Sequence, residues 1–265
     1  MNYKDFIEHR LSIVNKSSEE VPFILNTIQD KFLIQDYSPW IAILKARQQG
    51  FSSLILAMFT ADFILKDNSR SVIIADIADN AMELLDRVKR FLKSYEERMG
   101  LKIPLKYNSR YELFNESTNA RYTIGTADNY DFGRSKTITN LHLSEFAFYQ
   151  NSEKILASAL QAVVPDGRAI IETTANGFNF FKNFWNECER GERTFKPLFY
   201  PASAFYSPEF LERKKQELKQ LFDQEYPESA EMAFITSGDS YFDKQALQVY
   251  LKNVKEPIQN GLATI

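Results

Sequence analysis

Short apolar runs alternate along the chain with longer stretches whose apolar residues recur at helical spacing, the rhythm of an α/β domain built on a parallel sheet. Residues 40–44 (Trp-Ile-Ala-Ile-Leu) read as a buried strand, and residues 52–65 as a helix apolar on most faces. The next strand covers 71–75, and a helix over 80–95 carries Met82, Leu85, Val88, Phe91 and Leu92 at helical spacing. Between 106 and 126 the period changes to alternation. Segments 111–114 and 121–124 flank Asn115-Glu-Ser-Thr-Asn119, so a β-hairpin is predicted inside the α/β order. A polar loop over 126–136 leads to a strand at 137–143, a helix at 152–163, a turn at Pro165-Asp-Gly167, a strand at 168–173 and a helix at 178–188.

Past residue 201 the composition shifts. Residues 209–222 form a charged amphipathic helix, 224–228 a break, and 243–254 a final helix. The expected organisation is a core over 1–200 and a small lid or linker subdomain over 201–265. The net charge of −3 announces no nucleic acid globally, so DNA contact requires a local patch. Residues 86–110 offer one, with eight basic residues against three acidic ones; a solvated helix face is the alternative. One cysteine and two histidines exclude a disulfide framework, a Cys-rich zinc site and a multi-histidine centre. Asp62 and Lys66 interrupt the best apolar run, far below the ~20 residues of a membrane span, and the start of the sequence lacks a secretory signal. These features predict a soluble protein of a reducing compartment.

Candidate chemistry lies where predicted strands end. Lys45-Ala-Arg-Gln-Gln-Gly-Phe-Ser52 joins a strand to a helix, where a phosphate-binding loop belongs. Of the G-x-x-x-x-G-K-[ST] pattern only Gly50 and Ser52 remain. Gly50 lets backbone N–H groups approach phosphate, the helix start adds its positive dipole end, and Ser52 can ligate Mg²⁺. Lys45, leaving the strand, can replace the missing lysine from the loop's other side. An ordinary turn decorated by Lys45 and Arg47 is the alternative. Glu145, closing Leu141-His-Leu-Ser-Glu145, suits a carboxylate that deprotonates attacking water. Ser144 stands where an aspartate usually supports Mg²⁺, and can hold a metal-bound water without adding charge. His142 reads as a core histidine. The strand end at 172–177 suits sensing of the γ-phosphate if its strand lies between the loop strand and the Glu145 strand. Arg134, in a polar loop, is a candidate arginine finger acting across a subunit boundary, and Arg47 a second candidate within the subunit.

In order, residues 44–53, 141–145 and 173–176 resemble the ATPase domain of the large terminase subunit of tailed bacteriophages, the DNA-packaging motor. Residues 23–29 resemble that family's adenine-reading segment and 225–234 a segment beyond its core, so the likeness spans about residues 20–243. It implies a RecA-like P-loop fold of the additional-strand type, with a mainly parallel sheet flanked by helices. It implies ATP and Mg²⁺ as cofactors, with nucleotide bound at Gln29, Lys45, Ala46, Arg47, Gln48, Gln49, Gly50, Phe51, Ser52 and Ser53. It makes Glu145 catalytic, Thr173, Thr174, Ala175 and Asn176 the coupling segment, and Arg134 a finger acting in trans. Metal contacts fall to Ser52, Glu145 and, through water, Ser144. The implied partners are double-stranded DNA, a small terminase subunit and further copies of the chain in a ring on the capsid portal, with a monomer in isolation, in the host cytoplasm. Too little sequence follows for the family's nuclease, so no nuclease activity is expected. The rival readings are a nucleotide-sensing assembly module that binds ATP without turnover, and a superfamily 2 helicase-like translocase.

Overall fold

A computed structural model describes residues 2–15, 17–129, 137–236 and 253. The chain opens with helix α1 (Tyr3–Arg10), the two-stranded ribbon β1 (Ser12–Val14) and β2 (Glu20–Pro22), and the short helix α2 (Thr27–Lys31) running into a π-helical turn. The α/β core then follows in order: β3 (Trp40–Lys45), α3 (Phe51–Leu65), β4 (Arg70–Ala75), α4 (Ala78–Met99), β5 (Leu105–Asn108), β6 (Glu112–Asn115), β7 (Ala120–Thr126), β8 (Ile138–Ser144), α5 (Ser152–Gln161), β9 (Val163–Thr173), α6 (Phe180–Glu189) and β10 (Lys196–Tyr200). Three further helices, α7 (Pro208–Leu218), α8 (Phe222–Glu225) and α9 (Ala230–Thr236), complete the described chain.

One eight-stranded sheet has the order β10-β3-β9-β8-β4-β7-β6-β5. From β10 to β7 every pairing is parallel, and the hairpin partners β6 and β5 extend the sheet antiparallel at one edge. The apolar runs explain the layering. In β3, Ile41 and Ile43 face the core shared with α1, α3 and α4, whereas Ala42 and Leu44 face the core shared with α5 and α6. Val72 and Ile74 of β4 oppose Ile73 and Ala75 in the same way. Strands covered on both faces carry continuous apolar runs. Helix α3 is buried along almost its whole length, which accounts for its lack of a polar face. β9 lies between β3 and β8, the insertion expected for an additional-strand P-loop fold.

Three local readings change. The helix predicted over 152–163 ends at Gln161, because Val163 already pairs with Ile138 at the start of β9. A bulge then carries the chain through residues 165–167. A Cβ at Gly167 would stand 2.6 Å from Val163 Cγ1, so the bulge needs glycine. β10, with its mixed Lys-Pro-Leu-Phe-Tyr sequence, was absent from the predicted elements, as were α1 and the β1–β2 ribbon. Beyond residue 201, Ala202, Tyr206 and Tyr226 form a small cluster around Ala46, while Ala233 and Phe234 of α9 pack into the main core beside α6. The helix predicted over 243–254 lies outside the described residues apart from Asn253.

Candidate active site

The C-terminal ends of β3, β9 and β8 converge on the loop between β3 and α3. Gln48 and Gly50 both adopt positive φ, at 56° and 83°, and Gly50 forms the left-handed cap of α3. The loop's carbonyls are held from outside. Tyr206 Oη donates to Arg47 O at 2.7 Å, Asn26 Nδ2 to Gln49 O at 3.2 Å, and Gln29 Nε2 to Gly50 O at 2.8 Å. The N–H groups of the first turn of α3 are the ones that lack helical partners by construction, an edge suited to anions. Phe51, standing where a lysine is usual, turns its ring into the core against Tyr200 and Phe32. Only its backbone therefore belongs to the loop surface. Ala46 is buried beneath the loop, and Ser53 Oγ accepts from Arg87 Nη1 at 3.0 Å.

Gln29, expected to read adenine, has both ends of its amide engaged by the protein. Its Oε1 accepts from Asn26 N at 3.0 Å in a capping box, and its Nε2 holds Gly50 O. The side chain is buried, and with both amide ends engaged it braces the loop between β3 and α3. Arg47 is mostly exposed and pairs with Glu225 at 2.9 Å. Gln49 is fully buried, with Nε2 donating to Pro201 O at 2.9 Å.

At the centre of the site is a buried charge cluster. Lys45 Nζ lies 3.1 Å from Glu145 Oε1 and 3.0 Å from Glu172 Oε2. Glu172, at the end of β9, is wholly buried, and its Oε1 accepts from Ser52 Oγ at 2.7 Å and from Ser144 Oγ at 2.8 Å. His142 Nε2, also wholly buried, stands 3.4 Å from the same oxygen. Burial acts to lower the Lys45 ammonium, but Glu172 and Glu145 outweigh it and hold the pKa above the usual lysine value. Burial acts to raise the Glu172 carboxyl, and Lys45, His142 and Ser52 outweigh it, leaving it well below the usual carboxylate range. Both groups are charged at neutral pH. Glu172 was not among the residues singled out from the sequence. The signal for it was present: a charged residue directly after Ala169-Ile-Ile, in a strand buried on both faces, requires a partner.

Glu145 has left-handed backbone geometry, φ 54° and ψ 44°, which costs about 1–3 kcal/mol at a non-glycine residue. That turn aims its half-exposed carboxylate back over the sheet, where Oε2 accepts from Thr174 N at 3.2 Å. Thr173 Oγ1 accepts from Ala147 N, and Asn176 Nδ2 donates to Ala147 O, so the 173–176 segment is bonded to the turn that carries Glu145. Ala175 is buried beside it. Arg47, Asp76, Glu145, Thr174 and Glu225 line an open cleft of ≈ 320 Å³. Arg134 lies outside the described residues. In the basic stretch, Lys89, Lys93 and Lys102 pair with Asp86, Glu97 and Glu96, and Arg98 donates to Ser12 Oγ, so much of its positive excess is engaged locally.

Ser52, Ser144, Glu145 and Glu172 form an all-oxygen set suited to a hard divalent cation. Among the described residues no group of three or more His, Cys, Asp or Glu side chains would hold a metal by itself. A cation here would therefore depend on oxygens brought by a ligand, as Mg²⁺ commonly does with nucleotide phosphates. Such a cation would stand beside two carboxylates, Glu145 and Glu172.

Sheet order, loop and converging strand ends together define an additional-strand P-loop α/β fold. Within that class it is the fold of the ATPase domain of phage large terminases. The chain is similar to the HK97 bacteriophage large terminase, with TM-score 0.65, 14% identity, and coverage of 86% of this chain and 54% of that one. It is similar to the Thermus phage P74-26 large terminase ATPase domain, with TM-score 0.59, 19% identity, and coverage of 76% and 92%. It is also similar to the large terminase of a thermophilic bacteriophage in complex with ADP, with TM-score 0.61, 15% identity, and coverage of 77% and 53%. The chain thus spans nearly all of the P74-26 ATPase domain and about half the length of the HK97 terminase and of the ADP-bound one. No protein-family model matches the sequence.

Proposed function

We propose that the chain is the Mg²⁺-dependent ATPase of a DNA-packaging motor that drives double-stranded DNA into a viral procapsid. The observation that carries this reading is the meeting of Lys45, Ser52 and Glu145 around Glu172 at the C-terminal ends of β3, β9 and β8, on a fold shared with terminase ATPase domains. The structures of the thermophilic phage terminase with ADP and with ATP-γ-S lend support to a nucleotide on this fold.

In the proposed cycle the triphosphate lies along residues 50–53, and Lys45 exchanges its carboxylate partners for phosphate oxygens. Glu145, released from Lys45, takes the proton of the attacking water. Mg²⁺, when bound, would neutralise charge on the phosphate oxygens, with Ser52 a direct contact and Ser144 a contact through water. Arg134 of a neighbouring copy stabilises charge on the transferred group, and Arg47 is the candidate within the subunit. Thr174, bonded to Glu145, senses loss of the γ-phosphate, and the 201–265 lid follows through Arg47 and Gln49, which already bond Glu225 and Pro201. The assembly is a ring of identical chains on the capsid portal, supplied with DNA by a small terminase subunit in the host cytoplasm. Alone the chain is a slow monomer. Among the described residues no helix is long and apolar enough to cross a membrane.

The test is Mg²⁺-dependent ATP hydrolysis by the wild type, Glu145→Gln and Lys45→Ala across a range of protein concentrations. Turnover that rises more than linearly with concentration and disappears in both variants is the expected result. ATP binding that never leads to turnover, even with DNA present, would establish a nucleotide-sensing module instead.

A further inference from the structure

A P-loop ATPase holds Mg²⁺ with the loop hydroxyl and a carboxylate from the strand that carries the catalytic glutamate. In this chain that position is Ser144, which has no charge. Directly opposite Ser144, in register on the adjacent strand β9, stands Glu172. One oxygen of Glu172 accepts from both Ser52 Oγ and Ser144 Oγ, and the other faces Lys45. β9 lies between the loop strand and the Glu145 strand, so a side chain at its end reaches both. Lys45 alone would need one counter-ion, and Glu145 already provides it at 3.1 Å. The contacts of Glu172 to two hydroxyls are not explained by the lysine.

We infer that Glu172 is the positioning residue of the metal shell: the negative charge usually supplied from the Ser144 position has moved one strand across, and acts through Ser52 and Ser144. This deepens the proposed Mg²⁺–ATP reading and rests on it. By accepting from both hydroxyls, Glu172 fixes the Ser52 oxygen that would ligate the cation and, through Ser144, would supply the negative charge for waters that the cation carries. The division of labour accounts for the small hydroxyl at 144: a second carboxylate there would meet Glu172 across the strand pair, two like charges in a buried site.

The experiment measures binding of a fluorescent ATP analogue with Mg²⁺ and with EDTA, and of Mn²⁺ by electron paramagnetic resonance in the presence of ADP. It compares wild type, Glu172→Gln, Ser144→Asp and the double variant S144D/E172Q. Glu172→Gln is expected to lose about 10–100-fold in metal affinity while binding the analogue in EDTA at least as well as wild type. S144D/E172Q, which returns the charge to β8, is expected to recover metal affinity, and Ser144→Asp alone to gain none. Unchanged metal affinity in Glu172→Gln overturns the inference. So does equal weakening with Mg²⁺ and with EDTA, which would mark a partner of Lys45 only. If Glu172→Gln does not fold, the double variant decides: metal-dependent binding supports the inference and metal-independent binding overturns it. Wild type that binds no nucleotide under any condition overturns the nucleotide reading itself, a result distinct from either.

Discussion

Lys45 Nζ lies 3.1 Å from Glu145 Oε1, so the cation expected to meet phosphate and the carboxylate expected to activate water are bonded to each other. In the proposed cycle each must release the other, and ATP would compete with Glu145 for the ammonium. Removing the glutamate charge therefore has opposite effects on binding and on chemistry. Glu145→Gln is expected to bind ATP several-fold more tightly than wild type, and to hydrolyse it at least ~10²-fold more slowly. Equilibrium binding and single-turnover hydrolysis check the two halves separately.

The same cluster sets a pH dependence. Glu172 has a depressed pKa in the folded chain, so its contribution to stability is present above the unfolded value near ~4.3 and is lost as pH falls toward the folded value. Lys45 has a raised pKa, so its contribution is complete below ~10.4 and is lost as pH rises past the folded value. Between about pH 5 and 10 neither group titrates. Wild type is expected to be more stable than Glu172→Gln near neutral pH, and the margin to narrow below about pH 4. Urea unfolding at fixed pH steps measures it.

Gln29 braces the loop through Gly50 O, and a Cβ on Gly50 would stand 2.8 Å from Gln29 Nε2. Gly50→Ala also forces a side chain into left-handed geometry, a cost of roughly 1–2 kcal/mol. Gln29→Ala removes the brace and the capping box, at about 1–2 kcal/mol. Both variants are expected to weaken ATP and GTP binding by the same factor, because the loop and not the base contact is altered. Loss of discrimination between the two bases in Gln29→Ala would establish the adenine-reading role. Competition binding with both nucleotides decides.

Much of this arrangement was legible in the chain itself. Residues 40–65 show a buried strand, a turn with Gly50 and Ser52, and an apolar helix, because burial on both faces erases polar alternation. The placement of β9 between β3 and β8 was implied by the resemblance to terminase ATPase domains, not by the local pattern of the strand. Glu172 was harder to find because its meaning depends on neighbours 28 and 120 residues away, Ser144 and Ser52. Read locally, a glutamate before Thr-Thr-Ala-Asn looks like the solvated end of a strand. β10 escaped for another reason: as an edge strand with partly exposed Pro197, Leu198 and Phe199, it lacks the continuous apolar run of its neighbour β3. Gln29 was found, but the capping box that engages it involves Asn26, whose role appears only once α2 packs against the loop.

Cys188 on α6 offers a clean report of unfolding. Burial, against the smaller opposing effect of Arg193, pushes its thiol up to about 12. At pH 8 only about one molecule in 10⁴ would carry the reactive thiolate, against roughly a quarter in an unfolded chain. Alkylation at pH 8 is expected to be slow in the native protein and to track the unfolded fraction in urea. The sign for stability also follows: folding holds the proton more tightly, so this group disfavours the folded state as pH rises above ~8.5. Fast labelling of the native protein at pH 8 would show that the α6 packing opens locally.

A second buried charge network lies around Arg168, four residues before Glu172 on β9. Asp62 of α3 pairs with Arg168, accepts from Tyr3 Oη at 2.9 Å and from Asn140 Nδ2 at 3.2 Å, and meets half-exposed Lys66 at 2.9 Å. Arg168 Nε also donates to Asn140 Oδ1 at 3.0 Å. Breaking a buried pair by removing one partner leaves an uncompensated charge and costs about 3–5 kcal/mol, whereas removing both charges avoids that penalty. Arg168→Met and Asp62→Leu are each expected to destabilise by that amount, and D62L/R168M by clearly less than their sum. ATP binding is expected to stay unchanged in whichever variants fold. A double-mutant cycle by urea unfolding measures the coupling, and additive losses would mean that each residue is held by its other partners rather than by the ion pair.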